Sequence, residues 1–327
     1  MHWLRMGSVM FFFCLLMLCW GSAAFAAPVL EPPILRIAVL SDVHVMHTTD
    51  AWGRKAALKF EQALADIDSY APDITIINGD ITNGEPTDYR IFWDIVHRHK
   101  TGRIFASIGN HEYYRVHHAT QWTDDDAKKL FRKEFGLNRL YYDQYMKGIH
   151  MVFLGSEAYT SLRAHHPDAA WISPEQVRWF KAQLQKQSKA TLVFLHQPLQ
   201  GTVDFSGDTT LQVLQSRELK QLAEAHTPLI WFSGHTHDSI TGGDQSCLQH
   251  GVLYLGGGGT FTIHKRRLFP FPDAAREGYV FAKDTLSESE SRLVTVFNDH
   301  VIVQVRDHIH KVWLPAYEIR YDLKSVH

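Results

Sequence analysis

The chain contains 327 residues, of which 45% are hydrophobic and 21% are charged, so its composition is that of a globular protein and not of a disordered one. Lysine and arginine number 33 against 35 acidic residues, which gives a formal net charge of −2. A near-neutral chain offers no electrostatic basis for binding a nucleic-acid polymer or a membrane surface. The 21 histidines make any single His-x-His pair uninformative by itself.

The N-terminus has the pattern of a secretory signal. Arg5 precedes an apolar run over residues 9–20, and small residues follow at positions 24–26. These are the charged region, the apolar region and the cleavage site of a signal peptide. We expect a signal peptide over residues 1–26, cleavage after Ala26, and a secreted or periplasmic mature chain with no stable membrane insertion. An uncleaved membrane anchor is the alternative.

Short apolar runs recur along the chain, and each leads directly into polar residues. They cover residues 37–40, 74–77, 104–108, 192–195 and 229–232. Continuous apolar runs of this length predict strands that are buried on both faces. The polar residues that follow would then lie at the carboxyl edge of a sheet, where α/β proteins bind their ligands.

Helical patterns separate the predicted strands. Phe60, Leu64 and Ile67 repeat at the spacing of one helix face. Ser173 followed by Pro174 predicts the start of another helix, because serine is a favoured N-cap and proline is favoured at the first helical position. The alternation of strands and helices predicts an α/β architecture.

From about residue 278 onward, the residue pattern predicts strands and no helices. Apolar alternation on both sides of a turn at Asn298-Asp299 indicates a β-hairpin, and Pro315 would interrupt the strand that follows it. These strands are predicted over residues 293–297, 301–305 and 311–322. We expect this β-rich extension, residues 278–327, to complete a sheet of one domain that spans residues 27–327.

The polar residues at the predicted strand ends are of the types that bind transition metals. They are Asp42, His44, Asp80, Asn110, His111, His196, His235 and His237. Carboxylate, amide and imidazole donors in this combination suit Zn, Mn or Fe. Each residue alone has an ordinary alternative, since an aspartate can cap a loop and a histidine can occupy a satisfied core position. The glycines at 79, 109 and 234 would allow close approach of the backbone around a crowded site.

The order of these residues resembles the calcineurin-like metallophosphoesterase family, whose pattern is Asp-x-His, Gly-Asp, Gly-Asn-His-Asp/Glu, His and Gly-His-x-His. Over about residues 34–260 the chain contains every element in that order: Asp42-Val43-His44, Gly79-Asp80, Gly109-Asn110-His111-Glu112, His196 and Gly234-His235-Thr236-His237. The resemblance implies an α/β fold in which a layered β-sandwich of mixed sheets is flanked by helices. The C-terminal β-hairpin would be an extension of that fold.

The resemblance also implies a centre of two divalent metal ions, Mn, Fe or Zn. One ion would be held by Asp42, His44, Asp80 and His237, and the other by Asp80, Asn110, His196 and His235. Asp80 would bridge the ions, and His111 would face the substrate as a general acid that Glu112 or a nearby carboxylate orients. His111, Asp80 and Asn110 are therefore the candidate catalytic residues. Two such ions lower the pKa of bound water and position the phosphoryl group.

Two positions indicate which branch of the family the chain resembles. Purple acid phosphatases, a related group, are expected to have a tyrosine where this chain has Asn83, and no histidine at the position of His44. The chain is more similar to the cyclic-nucleotide phosphodiesterase branch. We therefore predict a metal-dependent phosphoric ester hydrolase that acts on small phosphorylated substrates, favours phosphodiesters and does not bind a nucleic-acid polymer. The alternatives are a phosphomonoesterase or a nucleotide or lipid pyrophosphatase, and a non-catalytic metal-binding module. The sequence predicts no oligomeric state.

Overall fold

The structure is a computed structural model that describes residues 31–208, 210–270, 277–282 and 287–323. The predicted signal peptide, residues 1–26, lies outside the described residues. No helix in the described part of the chain is long and apolar enough to cross a membrane.

Strands and helices alternate through the first two thirds of the chain, and strands alone follow. Within the described residues, the strands are β1 (Leu35–Leu40), β2 (Ile74–Asn78), β3 (Arg103–Ser107), β4 (Tyr142–Met146), β5 (Ile149–Phe153), β6 (Ala190–Phe194), β7 (Leu229–Ser233), β8 (Ser246–Gln249), β9 (Val252–Gly256), β10 (Lys265–Pro270), β11 (Glu277–Ala282), β12 (Glu290–Val296), β13 (His300–Asp307), β14 (Val312–Trp313) and β15 (Ile319–Asp322). The α-helices are α1 (Ala51–Ile67), α2 (Pro86–Val96), α3 (Asp124–Glu134), α4 (Pro174–Leu184) and α5 (Ser216–Glu224), and 3₁₀ segments cover His111–His117 and Pro315–Tyr317.

The strands form two mixed sheets and a separate hairpin of β10 and β11. The first sheet has the order β14-β13-β12-β1-β2-β3, and β15 also pairs with β13. Within it, β1, β2 and β3 are parallel, whereas β12 is antiparallel to β1. The second sheet has the order β4-β5-β6-β7-β9-β8, with β5, β6, β7 and β9 parallel and with antiparallel strands at both edges. The predicted β-sandwich of mixed sheets is confirmed.

The two sheets pack face to face over an apolar core. Ile37 and Val39 of β1 belong to this core, together with Phe153, Phe194 and Phe232 of the second sheet. The three phenylalanine rings stack in sequence at centroid distances of 5.0 Å. The continuous apolar runs follow from this arrangement, because alternate residues of each central strand enter different cores.

Helices cover the outer face of each sheet. Phe60 of α1 and Phe92 of α2 pack, together with α3, against the face of β1 that carries Ala38 and Leu40. The helices α4 and α5 pack in the same way against the second sheet. The predicted helix start at Ser173 is confirmed, because its hydroxyl accepts a hydrogen bond from the Gln176 N–H at 3.1 Å. The result is a four-layer α/β/β/α molecule.

The C-terminal strands complete the first sheet. The predicted hairpin is the pair β12 and β13, joined by a hydrogen bond from the Phe297 N–H to the His300 carbonyl. Because β12 pairs with β1 along its length, the hairpin is part of the central sandwich. The last predicted strand is divided into β14 and β15 by the 3₁₀ turn at Pro315–Tyr317, as the proline indicated. Pro33–His327 form one compact unit.

Candidate metal centre

The predicted ligand residues follow the carboxyl ends of β1, β2, β3, β6 and β7. Backbone hydrogen bonds connect these ends to one another. The Asp42 N–H donates to the Gly79 carbonyl at 3.2 Å, and the Gly234 N–H donates to the His196 carbonyl at 2.8 Å. Each of these bonds joins two loops of the same sheet, and the His235 N–H, which donates to Asp42 Oδ1 at 3.2 Å, connects the loops of the two sheets.

The backbone is left-handed at most of these positions. The φ angles are 56° at Asp42, 49° at His44, 51° at Asp80, 71° at His235 and 53° at His237. Residues other than glycine rarely adopt this conformation, which costs about 1–3 kcal/mol at each position and is concentrated at functional sites. The left-handed turn aims each side chain away from its strand and into the space between the loops.

The three predicted glycines are required by close packing around the same space, and a Cβ atom at Gly79 would collide with the ring of His196. A Cβ atom at Gly109 would collide with the carboxylate and backbone nitrogen of Asp80, and one at Gly234 would collide with the hydroxyl of Ser41. The prediction that these glycines permit close backbone approach is confirmed.

The side chains form two groups that share Asp80. The first group contains Asp42, His44, Asp80 and His237, and the second contains Asp80, His196 and His235; within each group the ligand atoms lie within 4.8 Å of one another. His237 Nε2 lies 3.1 Å from Asp42 Oδ1, and His196 Nε2 lies 3.1 Å from Asp80 Oδ2. His44 Nε2 lies 3.8 Å from Asp80 Oδ2.

Hydrogen bonds at the far nitrogen fix the orientation of two of the imidazole rings. His196 Nδ1 lies 2.8 Å from the Asn78 carbonyl, and His237 Nδ1 lies 2.6 Å from the Thr262 hydroxyl. A carbonyl oxygen only accepts, so Nδ1 of His196 carries the hydrogen and its Nε2 faces the two groups. Partners of this kind are typical of metal-binding histidines.

Burial and charge act together on the ionisation of these groups. Burial opposes the charged form of Asp42 and Asp80, but the neighbouring histidines hold the pKa of both carboxyls below the ordinary value of 3.8. Burial lowers the pKa of His235 to about 3 and that of His44 well below 6.5. Although burial opposes it, the two aspartates raise the pKa of His196 to about 10. The two ionised carboxylates and the neutral rings of His44 and His235 are suitable ligands for a cation, which would displace the proton of His196 on binding.

Comparison with known proteins agrees with this geometry. The model of the calcineurin-like phosphoesterase family matches residues 35–239. The chain belongs to this family. A search of curated protein sequences found no match.

Two solved structures show the same fold at low sequence identity. A dimetal phosphatase from Danio rerio superposes with a TM-score of 0.62 and 13% identity, over 90% of this chain and 100% of that one. A purple acid phosphatase from yellow lupin (Lupinus luteus) seeds superposes with a TM-score of 0.56 and 12% identity, over 86% of this chain and 52% of that one. The phosphoesterase chain described here therefore spans about half the length of the lupin protein.

Calcineurin-like phosphoesterases use binuclear metal centres, and two buried atoms of this chain fit such a group. Asn110 Oδ1 and His235 Nε2 are buried and have no hydrogen-bond partner. A buried polar atom without a partner carries a large desolvation penalty, which a bound cation would remove. Together with Asp80 and His196, these atoms fit the second predicted set of ligands.

His111 lies beside the shared carboxylate, at the start of the 3₁₀ turn. Its Nε2 is 3.9 Å from Asp80 Oδ2, and its Nδ1 is 2.8 Å from Asn83 Oδ1. The ring of Tyr114 packs against that of His111 with a centroid distance of 3.8 Å. Burial lowers the pKa of His111. The residue that orients His111 is therefore Asn83, for which no role was predicted from the sequence.

Glu112 does not orient His111, and that expectation is wrong. Its two carboxylate oxygens accept hydrogen bonds from the backbone N–H groups of Asp80, Ile81, Thr82 and Gly109, at distances of 3.1, 2.8, 2.9 and 2.7 Å. Burial and the nearby charge of Asp80 raise the pKa of Glu112 to about 7. The buried side chain thus joins the loops after β2 and β3 and fixes the backbone that presents Asp80.

The other histidine pairs take no part in the two groups. His308 is buried, and its Nδ1 lies 2.9 Å from Asp66 Oδ2. His99 Nδ1 lies 3.1 Å from Asp68 Oδ2, and His99 precedes β3 whereas Asn110 follows it. His47, which shortly follows the Asp-x-His motif, is held by Asp88, with 2.7 Å between His47 Nδ1 and Asp88 Oδ1.

Proposed function

We propose that this phosphoesterase is an exported, metal-dependent phosphodiesterase that acts on small phosphorylated substrates. The observation that supports the proposal best is the pair of ligand groups sharing Asp80, with His111 Nε2 3.9 Å from the shared carboxylate. One divalent ion would be held by Asp42, His44, Asp80 and His237, and the other by Asp80, Asn110, His196 and His235. When bound, the two ions would supply Lewis acidity toward the phosphoryl group and an activated water.

His111 would serve as the acid that protonates the leaving alkoxide. Asn83 Oδ1 can accept the hydrogen on Nδ1, so the ring presents Nε2 to the space beside Asp80. Tyr114 packs on one face of the ring and limits its rotation. With a hydrogen on both nitrogens, the ring can deliver the Nε2 proton to an ester oxygen, and the hydrolysis of esters with poor leaving groups depends on that proton.

An aromatic surface beside the first ligand group supports a preference for diesters. The ring of Phe261 lies 6.1 Å from that of His44, and the exposed ring of Trp52 packs edge-on against Phe261 at 5.5 Å. The second organic group of a phosphodiester could contact this surface, whereas a monoester has no second group. The near-neutral charge of the chain favours a small substrate over a polyanion.

The first experiment compares bis-p-nitrophenyl phosphate with p-nitrophenyl phosphate, using purified protein after chelation and after addition of Mn, Zn or Fe. We expect metal-restored turnover that is faster for the diester. Faster turnover of the monoester would overturn the diester preference and favour a phosphomonoesterase. No turnover with any metal would overturn the enzymatic proposal.

The acid role of His111 is tested with His111→Ala. We expect loss of turnover to be about 10²–10⁴-fold for an alkyl ester and much smaller for a nitrophenyl ester, because nitrophenolate leaves without a proton. His99→Ala is the matched control, since His99 also contacts a carboxylate but precedes β3 at the opposite edge of the sheet. Equal losses on both esters would exclude the acid role.

Export is proposed from the N-terminal sequence alone. The apolar run over residues 9–20 and the small residues at 24–26 favour removal of residues 1–26. N-terminal sequencing of protein from a fractionated cell culture should find Ala27 as the first residue in an extracytoplasmic fraction. Retention of Met1 would show that no cleavage occurs.

A further inference from the structure

The side chain of Asn110 is anchored on one side only. Its amide nitrogen Nδ2 lies 3.1 Å from Asp168 Oδ1 and 3.2 Å from the Tyr114 hydroxyl. The Tyr114 hydroxyl in turn donates to the same Asp168 oxygen at 3.0 Å. The amide oxygen Oδ1 on the other side is buried and has no hydrogen-bond partner.

These partners decide which end of the amide faces the ligand groups. An ionised carboxylate only accepts hydrogen bonds, so Asp168 requires the NH₂ end of Asn110. With Nδ2 on that side, Oδ1 must point away from Asp168. If the amide were reversed, a carboxylate oxygen and a carbonyl oxygen would face each other at hydrogen-bond distance, and the NH₂ group would be buried without an acceptor.

Asp168 is itself held in place by residues near the second ligand group. Gln197, which directly follows His196, donates a side-chain hydrogen bond to the backbone carbonyl of Asp168 at 3.2 Å. Two residues later, Ala170 forms an isolated β-bridge with Val213. The carboxylate therefore belongs to a fixed segment.

We propose that Asp168 and Tyr114 are positioning residues that hold the Asn110 amide oxygen toward the second metal ion. This inference rests on the proposed metal centre and adds to it two residues that provide no metal ligand themselves. Hydrogen-bonded partners of this kind commonly change metal affinity 10–100-fold.

The test measures Mn²⁺ binding to the metal-stripped full chain by titration calorimetry. We expect Asp168→Ala to weaken, about 10–100-fold, the Mn²⁺ site that Asn110→Ala also weakens, and to leave the other site unchanged. Asp168→Asn, which can still present an amide oxygen to Asn110, should restore part of the affinity. Tyr114→Phe keeps the ring on His111 but removes the hydroxyl, and should weaken the same site to a smaller extent. Asp125→Ala, which removes an exposed carboxylate paired with Lys128, is the matched control.

A double substitution separates positioning from direct ligation. If Asp168 acts through Asn110, adding Asp168→Ala to Asn110→Ala should weaken Mn²⁺ binding no further. A further loss in that background would overturn the inference, as would wild-type affinity at both sites in Asp168→Ala. If Asp168→Ala fails to fold in a thermal melt of the metal-free protein, wild-type affinity in Tyr114→Phe and Asp168→Asn would overturn it.

The proposed centre and the inference fail in different ways. Wild-type protein that binds fewer than two Mn²⁺ ions would overturn the centre and the inference together. Two ions in the wild type, one in Asn110→Ala and two with unchanged affinity in Asp168→Ala would leave the centre intact and overturn the inference alone.

Discussion

The carboxylate of Glu112 should make one of the largest single contributions to stability in this protein. Its side chain is 1% exposed and accepts hydrogen bonds from the N–H groups of Asp80, Ile81, Thr82 and Gly109. Glu112→Ala would leave these four donors buried without an acceptor, at about 1 kcal/mol or more for each. We therefore expect the free energy of unfolding to fall by about 4 kcal/mol, a large fraction of the roughly 5–15 kcal/mol of a typical domain.

Urea unfolding of the metal-free protein, followed by tryptophan fluorescence, measures this loss without a contribution from bound metal. Glu112→Gln keeps the shape but turns one acceptor oxygen into a donor, so it should lose about half as much. Glu61→Ala is the control, because Glu61 is exposed and pairs only with the exposed Arg98, and it should lose less than about 1 kcal/mol. A loss below about 1 kcal/mol in Glu112→Ala would refute the reasoning.

Three further substitutions test other contacts. Asn83→Ala should slow hydrolysis of an alkyl phosphodiester more than that of a nitrophenyl diester, because it removes the hydrogen-bond partner of His111 Nδ1. Paired rate measurements on the two esters check this, and equal slowing would contradict the orienting role of Asn83. Asp66→Asn should destabilise the protein by about 1.5–3 kcal/mol at pH 7, because Asp66 accepts two 2.7 Å bonds from Arg306. These bonds lower the pKa of Asp66 although burial opposes that shift. The difference in stability between the wild type and Asp66→Asn, measured in denaturant melts, should therefore shrink as the pH falls below 3.8. A difference that does not change with pH would contradict this. Burial raises the pKa of Glu290 from 4.5 to about 7. Between pH 4.5 and 7, the stability of the wild type should therefore fall by ~3 kcal/mol more than that of Glu290→Gln. Parallel curves of stability against pH for the two proteins would contradict this.

The fold could be predicted where burial leaves a periodic signal in the sequence. Residues 37–40 are apolar without interruption because alternate residues of β1 enter the core between the sheets and the core under the helices. The hairpin of β12 and β13 could be predicted from a different signal, because the alternation of apolar residues and the turn between them are local features of the sequence. Both signals depend on neighbours in the chain, and so they need no knowledge of the tertiary structure.

Other elements had no such signal. The strand β4 was not predicted, since it is an edge strand with polar residues such as Asp143 and Gln144. Partial exposure removes the apolar pattern from which buried strands are recognised. Pairing with β5 across the turn at Lys147 and Gly148, both of positive φ, defines β4 as a strand.

The sequence determined the chemistry of the candidate centre, because residue types and their order are preserved in the linear chain and resemble one family. Only the tertiary structure decided how those residues are held. Asn83 and His111 are separated by 28 positions, and Asn110 and Asp168 by 58. Glu112 was expected to orient His111, yet it is bonded to backbone groups around Asp80. A hydrogen bond requires two atoms within about 3 Å, and for residues so distant in the chain that proximity depends on how the strands are ordered and how their loops pack.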